Sequence, residues 1–367
     1  MSPSVLAQTL NPPAIAARSW LLVDTVSGQT LAARDINKRV DPAGMAQLMT
    51  AYLVFGAIGE GRLDINKLAT ISDHAWKAAK SGPKMFLEPK VPVKVQDLLY
   101  GLVIQSGNDA AVALAELVSG EETAFVAMMN REAVRMGLKD THFKSAAGLP
   151  HKEQYSTVKD LSLLAMNLIR DYPDSYKIYS LREFTYNRVR QRNRNRLLWL
   201  DTTVDGITAT SGAGEYSLIA SAKRESATGE RRMLAIIADA NSEQTQTQEG
   251  LKLLNWGFGN FNTIKLYNRR QAIAHLNVTS GSRRTLPIGF DFDAYVSVPK
   301  GGIPRLKSIL ERQEPLIAPI GEKDRVGTLK MMLDGKMLLE LPVIALEPVG
   351  VASILDRVWD NVRAWFK

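Results

Sequence analysis

The chain has 367 residues, of which 45% are hydrophobic and 23% are charged, with a formal net charge of +8. This is the composition of an ordinary soluble globular protein, and the length allows two or three domains, each with its own core. The charge is modest, and no basic run is interleaved with aromatic residues, so a nucleic-acid partner is not expected. There are no cysteines, which excludes disulfides and thiol chemistry. The four histidines lack metal-ligand spacing, so we predict no metal and no cofactor.

Residues 1–15 are predicted to be an extended N-terminal segment. Within it, Val5-Leu6-Ala7 before Gln8 looks like the small-residue end of a signal peptide whose front is absent. A truncated chain, a misassigned start and a genuine lack of export all fit this pattern, and we favour the first two. No stretch is long and apolar enough to span a membrane.

A β-hairpin is predicted next, with strands at 19–24 and 30–33 around Ser27-Gly28-Gln29. A buried helix follows from Asp41, which is a good N-cap, with Pro42 at the first helical position. Apolar residues then recur at helical spacing until Gly-Glu-Gly at 59–61 ends the helix. The first turn of this helix carries Gly44 and Gln47 on one face.

The rest of this region reads as helices followed by strands. A buried helix at 95–104 ends at Ser106-Gly107-Asn108, and an almost wholly apolar helix begins at Asp109. The pattern predicts further helices at 123–136, 157–171 and 248–258, and strands at 216–222 and 232–238. A helical middle enclosed by strands implies an α+β domain in which helices pack on both faces of a sheet.

From residue 263 the pattern changes to short alternating strands. The clearest pair is 329–333 and 336–341, joined by Asp334-Gly335, which is a strong hairpin signal. We therefore predict a small all-β domain at 263–347. Residues 351–367 place apolar side chains, two tryptophans among them, on one helical stripe opposite charged residues. We interpret this segment as an interfacial membrane helix, with docking on the β domain or on a partner as the alternative.

Taken together, these features resemble the low-molecular-mass penicillin-binding proteins that act as D-alanyl-D-alanine carboxypeptidases. The resemblance extends from about residue 16 to residue 367. It rests on nine segments: Trp20-Leu21-Leu22-Val23-Asp24, Asp41-Pro42-Ala43, Leu48-Met49-Thr50-Ala51-Tyr52, Ser106-Gly107-Asn108-Asp109-Ala110-Ala111, Gly148-Leu149-Pro150-His151, Tyr155-Ser156-Thr157, Asn193-Arg194-Asn195-Arg196-Leu197-Leu198, Val204-Asp205-Gly206 and Leu253-Leu254-Asn255-Trp256-Gly257-Phe258. It implies a β-lactamase-like domain at 16–262, a small β-sandwich-like domain at 263–347 and a membrane-associating amphipathic helix at 348–367.

The resemblance also locates an active site. The family carries its nucleophile and base as Ser-x-x-Lys in the first turn of the central helix. Here Gly44 occupies the nucleophile position and offers no oxygen, and Gln47 occupies the base position with an amide that cannot take a proton. The second motif is intact: by resemblance, Ser106 relays protons and Asn108 holds the substrate. Taken alone, Ser106-Gly107-Asn108 also suits a turn between helices.

The third motif, Lys-Thr-Gly on a strand, falls on Thr208-Ala209-Thr210, and the following loop is one residue short. By the spacing of the family, the arginine that meets the substrate carboxylate is replaced by Gln246. These four residues are the substrate-binding positions that the resemblance implies, and none carries a positive charge. The serine, its lysine, the strand lysine and the arginine are therefore absent together, and removing one member of such a unit already costs on the order of 10⁶ in turnover.

Other groups compensate poorly for this loss. Ser81-Gly82-Pro83-Lys84 matches Ser-x-x-Lys literally, but its Gly-Pro interior breaks the helix that would align serine and lysine. Ser106 as a surrogate nucleophile has no lysine partner at either expected place. The run 211–214, Ser-Gly-Ala-Gly, offers backbone donors for an anion, although a flexible loop is the preferred interpretation.

The sequence therefore favours a pseudoenzyme, a catalytically inactive homologue in the periplasm, peripheral on the inner membrane through 351–367. Its expected partners are peptidoglycan stem peptides or paralogous wall enzymes. The alternative is an active, or deliberately inactivated, serine D-Ala-D-Ala carboxypeptidase that trims the terminal D-Ala of stem pentapeptides. A third hypothesis is a membrane-bound structural module that works through the β domain and the terminal helix alone.

Overall fold

The computed structural model describes residues 10–212, 215–226, 229–312 and 314–352. Strands of the first domain are β1 (Ala17–Asp24), β2 (Thr30–Arg34), β3 (Leu68–Thr70), β4 (Pro92–Lys94), β5 (Glu183–Tyr186), β6 (Val189–Arg192), β7 (Val204–Gly206), β8 (Ala209–Gly212), β9 (Glu215–Ser226) and β10 (Gly229–Ala240). Its helices are α1 (Gln47–Gly59), α2 (Asp73–Ala78), α3 (Val95–Gln105), α4 (Asn108–Ser119), α5 (Glu122–Met136), α6 (Val158–Asp171), α7 (Pro173–Tyr176), α8 (Leu197–Leu200) and α9 (Glu243–Asn260). The second domain contains β11 (Phe261–Tyr267), β12 (Ala274–Thr279), β13 (Thr285–Gly289), β14 (Ala294–Pro299), β15 (Leu306–Arg312), β16 (Leu316–Ile317), β17 (Arg325–Leu333) and β18 (Lys336–Ala345).

The antiparallel sheet of the first domain has the order β2-β1-β10-β9-β7, with β8 also pairing with β9. Successive side chains on its strands enter two different cores, because strand residues alternate between faces. Leu21 and Val23 pack with the helical core that contains α1, α4 and α6. Trp20 and Leu22 pack on the other side, with α9 and the second domain. The sheet is thus covered on both faces, as the sequence predicted.

The second domain is all-β, as predicted. Its larger sheet has the order β15-β17-β18-β13-β12-β16, and β11 pairs separately with β14. The predicted hairpin is β17–β18, in which Leu329, Met331 and Leu333 are buried on alternate positions. Asp334 and Gly335 both have positive φ angles, 50° and 79°, which is the requirement of a type I′ hairpin turn.

Buried polar contacts join the two domains. Asp24, at the end of β1, forms an ion pair of 3.2 Å with Arg231 of β10 and accepts a hydrogen bond from the hydroxyl of Thr263 in β11. Gln29, before β2, accepts from the Ser297 amide at 2.6 Å and donates to the Leu338 carbonyl. Because an unpaired charge is costly away from water, these contacts fix the second domain against the first.

The predicted helix at Asp41 begins differently from expectation. Pro42 precedes a 3₁₀ turn, Ala43–Ala46, and the α-helix α1 starts only at Gln47. Asp41 accepts a hydrogen bond from the Ala43 amide at 3.0 Å, so it caps the turn and not the α-helix. Gly44 therefore lies in the 3₁₀ turn and Gln47 is the first residue of α1.

The predicted helix at 248–258 is longer than its apolar pattern indicated. It is α9, which begins five residues earlier because the Ser242 hydroxyl accepts a hydrogen bond from the Thr245 amide and caps it. The polar run between Glu243 and Gln248 carries no apolar period, so the pattern could not mark this start. Within the described residues, no helix has the length and apolar character needed to cross a membrane. The predicted amphipathic helix lies almost wholly outside the described residues, which end at 352.

The buried ion pair between Asp24 and Arg231, which also contacts Thr263 of the second domain, gives a stability prediction. We expect Asp24→Ala to lower the free energy of unfolding by about 3 kcal/mol, because Arg231 would keep a buried charge without its carboxylate. Urea denaturation measures this change. As a matched control, Asp174→Ala removes an ion pair whose two side chains are largely exposed and should leave the urea midpoint unchanged. Equal effects of the two substitutions would contradict the proposed role of Asp24.

Candidate functional site

The candidate site lies where three chain segments of the first domain meet. The 3₁₀ turn supplies Gly44, and the start of α1 supplies Gln47. The connection between α3 and α4 supplies Ser106 and Asn108. Ser106 adopts the left-handed conformation, φ 59° and ψ 41°, and ends α3. Strand β8 supplies Thr210. Hydrogen bonds bring these five residues together.

Gln47 is the centre of a buried hydrogen-bond network. Its amide nitrogen donates to the Ser106 carbonyl at 3.2 Å, the Asn108 side-chain oxygen at 3.1 Å and the Ala147 carbonyl at 3.1 Å. Its amide oxygen accepts from the Ser106 hydroxyl at 3.0 Å. An amide has two N–H groups, so the three acceptors share them. A primary ammonium group, with three donors, would match the same acceptors one for one.

Gly44 has its backbone amide already occupied. The amide donates to the Thr210 hydroxyl at 3.1 Å. In serine acyl-transfer enzymes the amide of the nucleophilic residue is one of the donors that stabilise the oxyanion. There is also little room for a side chain, because a Cβ at Gly44 would lie 2.8 Å from the Thr210 hydroxyl oxygen and 3.0 Å from the Ser106 hydroxyl oxygen.

A cavity of about 140 Å³ opens at this point, and we refer to it as the Gly44 cavity. It is smaller than typical small-molecule sites, which enclose about 300–1,000 Å³. Its lining residues are Asp41, Ala43, Gly44, Ser81, Gly82, Pro83, Ser106, Asn108, Ala147, Gly148, Leu149, Pro150, Thr210, Ser217 and Asp239. Among the described residues of the lining, two carry carboxylates and none is a lysine, arginine or histidine. The lining is therefore acidic, although the Asp239 carboxylate is 3.3 Å from the guanidinium of Arg18.

Thr208 and Gln246, two of the four predicted substrate-binding positions, are not among the described residues that line this cavity. The Thr208 side chain is absent from the lining, and the two residues before it, Gly206 and Ile207, have positive φ angles. Ala209 lies in β8, which pairs with β9. Gln246 is buried in the first turns of α9 and does not reach the cavity. Of Thr208 and Thr210, only Thr210 takes part in the site.

The alternative nucleophile at Ser81 has no lysine with it among the described residues that line the Gly44 cavity. Ser81 lines the Gly44 cavity, whereas Lys84 lies 5.4 Å from the ring centre of Phe86 and is not part of the lining. The chain leaves helical geometry at Gly82, whose φ is 146°, which agrees with the predicted effect of the Gly-Pro pair. Half of the predicted anion loop, residues 213–214, lies outside the described residues.

Sequence reasoning missed two polar residues of the cavity, Ser217 and Asp239. They face each other on β9 and the end of β10, where the Asp239 amide donates to the Ser217 hydroxyl at 3.3 Å. Asp239 has a positive φ of 59°, which is uncommon for a residue other than glycine. Neither residue stands in a motif, so only the pairing of β10 with β9 brings them to the site.

The fold and the site geometry define the class of the protein. The α+β domain with the turn before α1 and the Ser-x-Asn connection, followed by an all-β domain, is the penicillin-binding-protein architecture. The crystal structure of penicillin-binding protein 5 from Haemophilus influenzae superimposes with a TM-score of 0.88 and 34% sequence identity, covering 93% of this chain and 99% of that chain.

Sequence comparison identifies the family. Residues 6–242 match the family described as D-alanyl-D-alanine carboxypeptidase, and residues 261–350 match the C-terminal domain of penicillin-binding protein 5. The chain is 36% identical to the D-alanyl-D-alanine carboxypeptidase DacC of Escherichia coli over 366 residues, covering 98% of this chain and 90% of the relative. It is 38% identical to DacD of the same organism over 360 residues, covering 95% and 91%. The chain belongs to the D-alanyl-D-alanine carboxypeptidase family.

The hydrogen-bond network of Gln47 predicts that two substitutions at this position lower the free energy of unfolding to different extents. Gln47→Met should lower the free energy of unfolding by about 3 kcal/mol, because it leaves several buried polar groups without partners. Gln47→Lys should cost less, about 1 kcal/mol, because an ammonium satisfies the three acceptors at the expense of burying a charge. Urea denaturation of both variants checks the order, and a methionine variant as stable as the unaltered protein would show that the network contributes little.

The crowding at Gly44 predicts an energetic coupling with Thr210. Gly44→Ala should destabilise the unaltered protein, because its Cβ meets the Thr210 hydroxyl. The same substitution should cost about 1 kcal/mol less in a Thr210→Ala background, where that oxygen is removed. A double-mutant cycle of unfolding free energies measures the coupling. Additive effects would mean that the two residues do not compete for space.

Proposed function

We propose that this chain is a non-catalytic member of the D-alanyl-D-alanine carboxypeptidase family that acts as a binding or scaffolding protein of the cell envelope. The observation that carries the proposal is the closed hydrogen-bond network of Gln47, which occupies the base position with a neutral amide and engages Ser106 and Asn108. A base must accept a proton from the nucleophile, and an amide has no such capacity at neutral pH.

The position of the nucleophile supports the same proposal. Gly44 has no side-chain oxygen to attack a carbonyl, and its amide is bonded to the Thr210 hydroxyl. A substrate carbonyl would have to break that hydrogen bond before the amide could stabilise its developing charge. The attacking group is therefore absent, and one oxyanion donor is already occupied by another hydrogen bond.

The charge of the Gly44 cavity argues against recognition of a terminal carboxylate. A peptide ending in D-Ala presents a carboxylate, and its binding calls for a cation or for well-placed donors. The lining carries Asp41 and Asp239 and no cationic side chain. Like charges repel most strongly where water is partly excluded, so this cavity disfavours the substrate that the name of the family describes.

The active alternative depends on a surrogate nucleophile. Ser106 is the best placed candidate, but its hydroxyl donates to the Gln47 amide oxygen, which is not a base. Ser81 lines the cavity without a lysine in the lining. Neither arrangement provides the paired nucleophile and proton acceptor that covalent catalysis requires.

Attachment to the inner-membrane surface through 351–367 completes the proposal. The proposed partners are paralogous wall enzymes, or stem peptides recognised through groups other than their terminal carboxylate. Its support is the amphipathic sequence pattern and the position of this segment after the β domain. Flotation with anionic liposomes, comparing the full chain with a chain ending at residue 350, tests the attachment. Equal flotation of the two proteins would assign membrane binding to another surface.

Catalytic loss is tested by intact-protein mass spectrometry after incubation with a penicillin. We expect no covalent adduct on the unaltered protein, and release of D-Ala from a pentapeptide at least about 10³-fold slower than for an active relative assayed beside it. An adduct mapped to Ser106, Ser81 or any other residue would overturn the proposal.

The matched variant restores the missing groups. Gly44→Ser with Gln47→Lys alone leaves Thr210 against the new side chain, so the variant must also carry Thr208→Lys, Ala209→Thr and Thr210→Gly. We expect an adduct at position 44 only when Thr210 is replaced. An adduct with the first two substitutions alone would mean that Thr210 does not obstruct the nucleophile position.

A further inference from the structure

A second, larger cavity lies in the first domain and shares no lining residue with the Gly44 cavity. Its volume is about 630 Å³, within the range of small-molecule sites. Its walls are the chain from β6 to α8, the first turns of α9 and the last residue of α3. We refer to it as the arginine cavity, because Arg192, Arg194 and Arg196 all line it.

The three arginines face the cavity because the asparagines between them are held inside. Asn193 is buried and its amide nitrogen donates to the Tyr179 and Leu181 carbonyls at 3.3 and 2.9 Å. Asn195 is fully buried and donates to the Gly206 carbonyl at 3.0 Å. In the alternating run Arg-Asn-Arg-Asn-Arg, the asparagine side chains thus hold the backbone in place, and the arginine side chains line the cavity.

The charge of the arginine cavity is positive. Its lining carries one carboxylate, Glu243, which lies 2.6 Å from the Arg196 guanidinium. Within the described part of the chain, the Arg192 side chain has no ion pair or hydrogen bond. Glu243 and Gln244 are the first residues of α9, so the N-terminal end of an 18-residue helix also faces this space, and such an end favours anions.

The remaining lining is suited to a peptide. Trp199 and Leu200 are 41% and 61% exposed and offer apolar surface. Gln105, Gln244 and Gln248 add side-chain amides, which donate to and accept from peptide groups. Planar guanidinium groups bind carboxylates through two parallel hydrogen bonds, and this geometry distinguishes them from ammonium groups.

We propose that the arginine cavity is a binding site for a short acidic peptide that carries two or more carboxylate groups. The site goes beyond the non-catalytic role proposed above and does not depend on it, because the two cavities have separate linings. An active enzyme and an inactive one would bind this peptide alike.

The probe is N-acetyl-triglutamate, titrated into the full chain by calorimetry. Its neutral counterpart, N-acetyl-triglutamine, has the same shape without the charges. We expect the acidic peptide to bind, and the double variant Arg192→Gln, Arg196→Gln to weaken its affinity at least tenfold. The neutral peptide should show no measurable binding. Trp199→Leu should weaken the affinity several-fold by removing the apolar wall.

A charge-matched control separates a site from general attraction to a basic protein. Arg269→Gln, Arg283→Gln removes two positive charges from the exposed surface of the second domain and should leave the affinity unchanged. An equal loss in both double variants, or no binding of triglutamate to the unaltered protein, would overturn the proposal. Binding of inorganic phosphate at the same residues, without binding of triglutamate, would assign the cavity to a phosphate and also overturn it.

Discussion

The central sheet of the first domain is buried on both faces, and the rest of the structure depends on this constraint. On β1 and β10, neighbouring residues enter opposite cores, one with the helices and one with α9 and the second domain. A slip of one residue would exchange the two sets of side chains, so the register is strongly specified. Thr210 of β8 lines the Gly44 cavity, and β8 pairs with β9 of this sheet, so the pairing positions one wall of the cavity.

The site has kept its packing while its reactive groups are absent. The Ser106 and Ala147 carbonyls and the Asn108 side chain surround the end of the Gln47 side chain, and a small apolar residue there would leave them without partners. A neutral amide satisfies these acceptors without a buried charge. The geometry of this turn therefore requires a hydrogen-bond donor at position 47 and does not require a base there.

Much of this organisation could be predicted from the sequence. The Asp334-Gly335 hairpin and the helix α3 follow from turn chemistry and apolar period, whereas the cluster of Gly44, Gln47, Ser106 and Asn108 is implied by the resemblance to the family. The placement of Thr208 outside the lining of the Gly44 cavity could not be predicted, because the positive φ angle of Ile207 cannot be read from a β-branched residue. The burial of Gln246 could not be predicted either, because spacing locates a residue along the chain, whereas its burial is set by the packing of α9.

The arginine cavity also shows what sequence reasoning cannot predict: its residues are visible in the sequence, but their arrangement is not. The run from Arg192 to Arg196 is visible in the sequence, and so is its resemblance to the family. That its asparagines point inward depends on carbonyls supplied by Tyr179, Leu181 and Gly206, which lie 11 to 14 residues away along the chain. Such pairings are tertiary, and no local pattern contains them.

The contact between Gly44 and Thr210 has a consequence for how this protein can change over generations. Under the proposed non-catalytic role, a serine introduced at 44 alone meets an occupied space, so this first step toward a nucleophile carries a cost and is expected to give no activity in return. The threonine must become smaller beforehand, and that change by itself also brings no benefit. Reversal thus needs coordinated substitutions on separate segments of the chain, and selection acting on single substitutions would find each of them unrewarded.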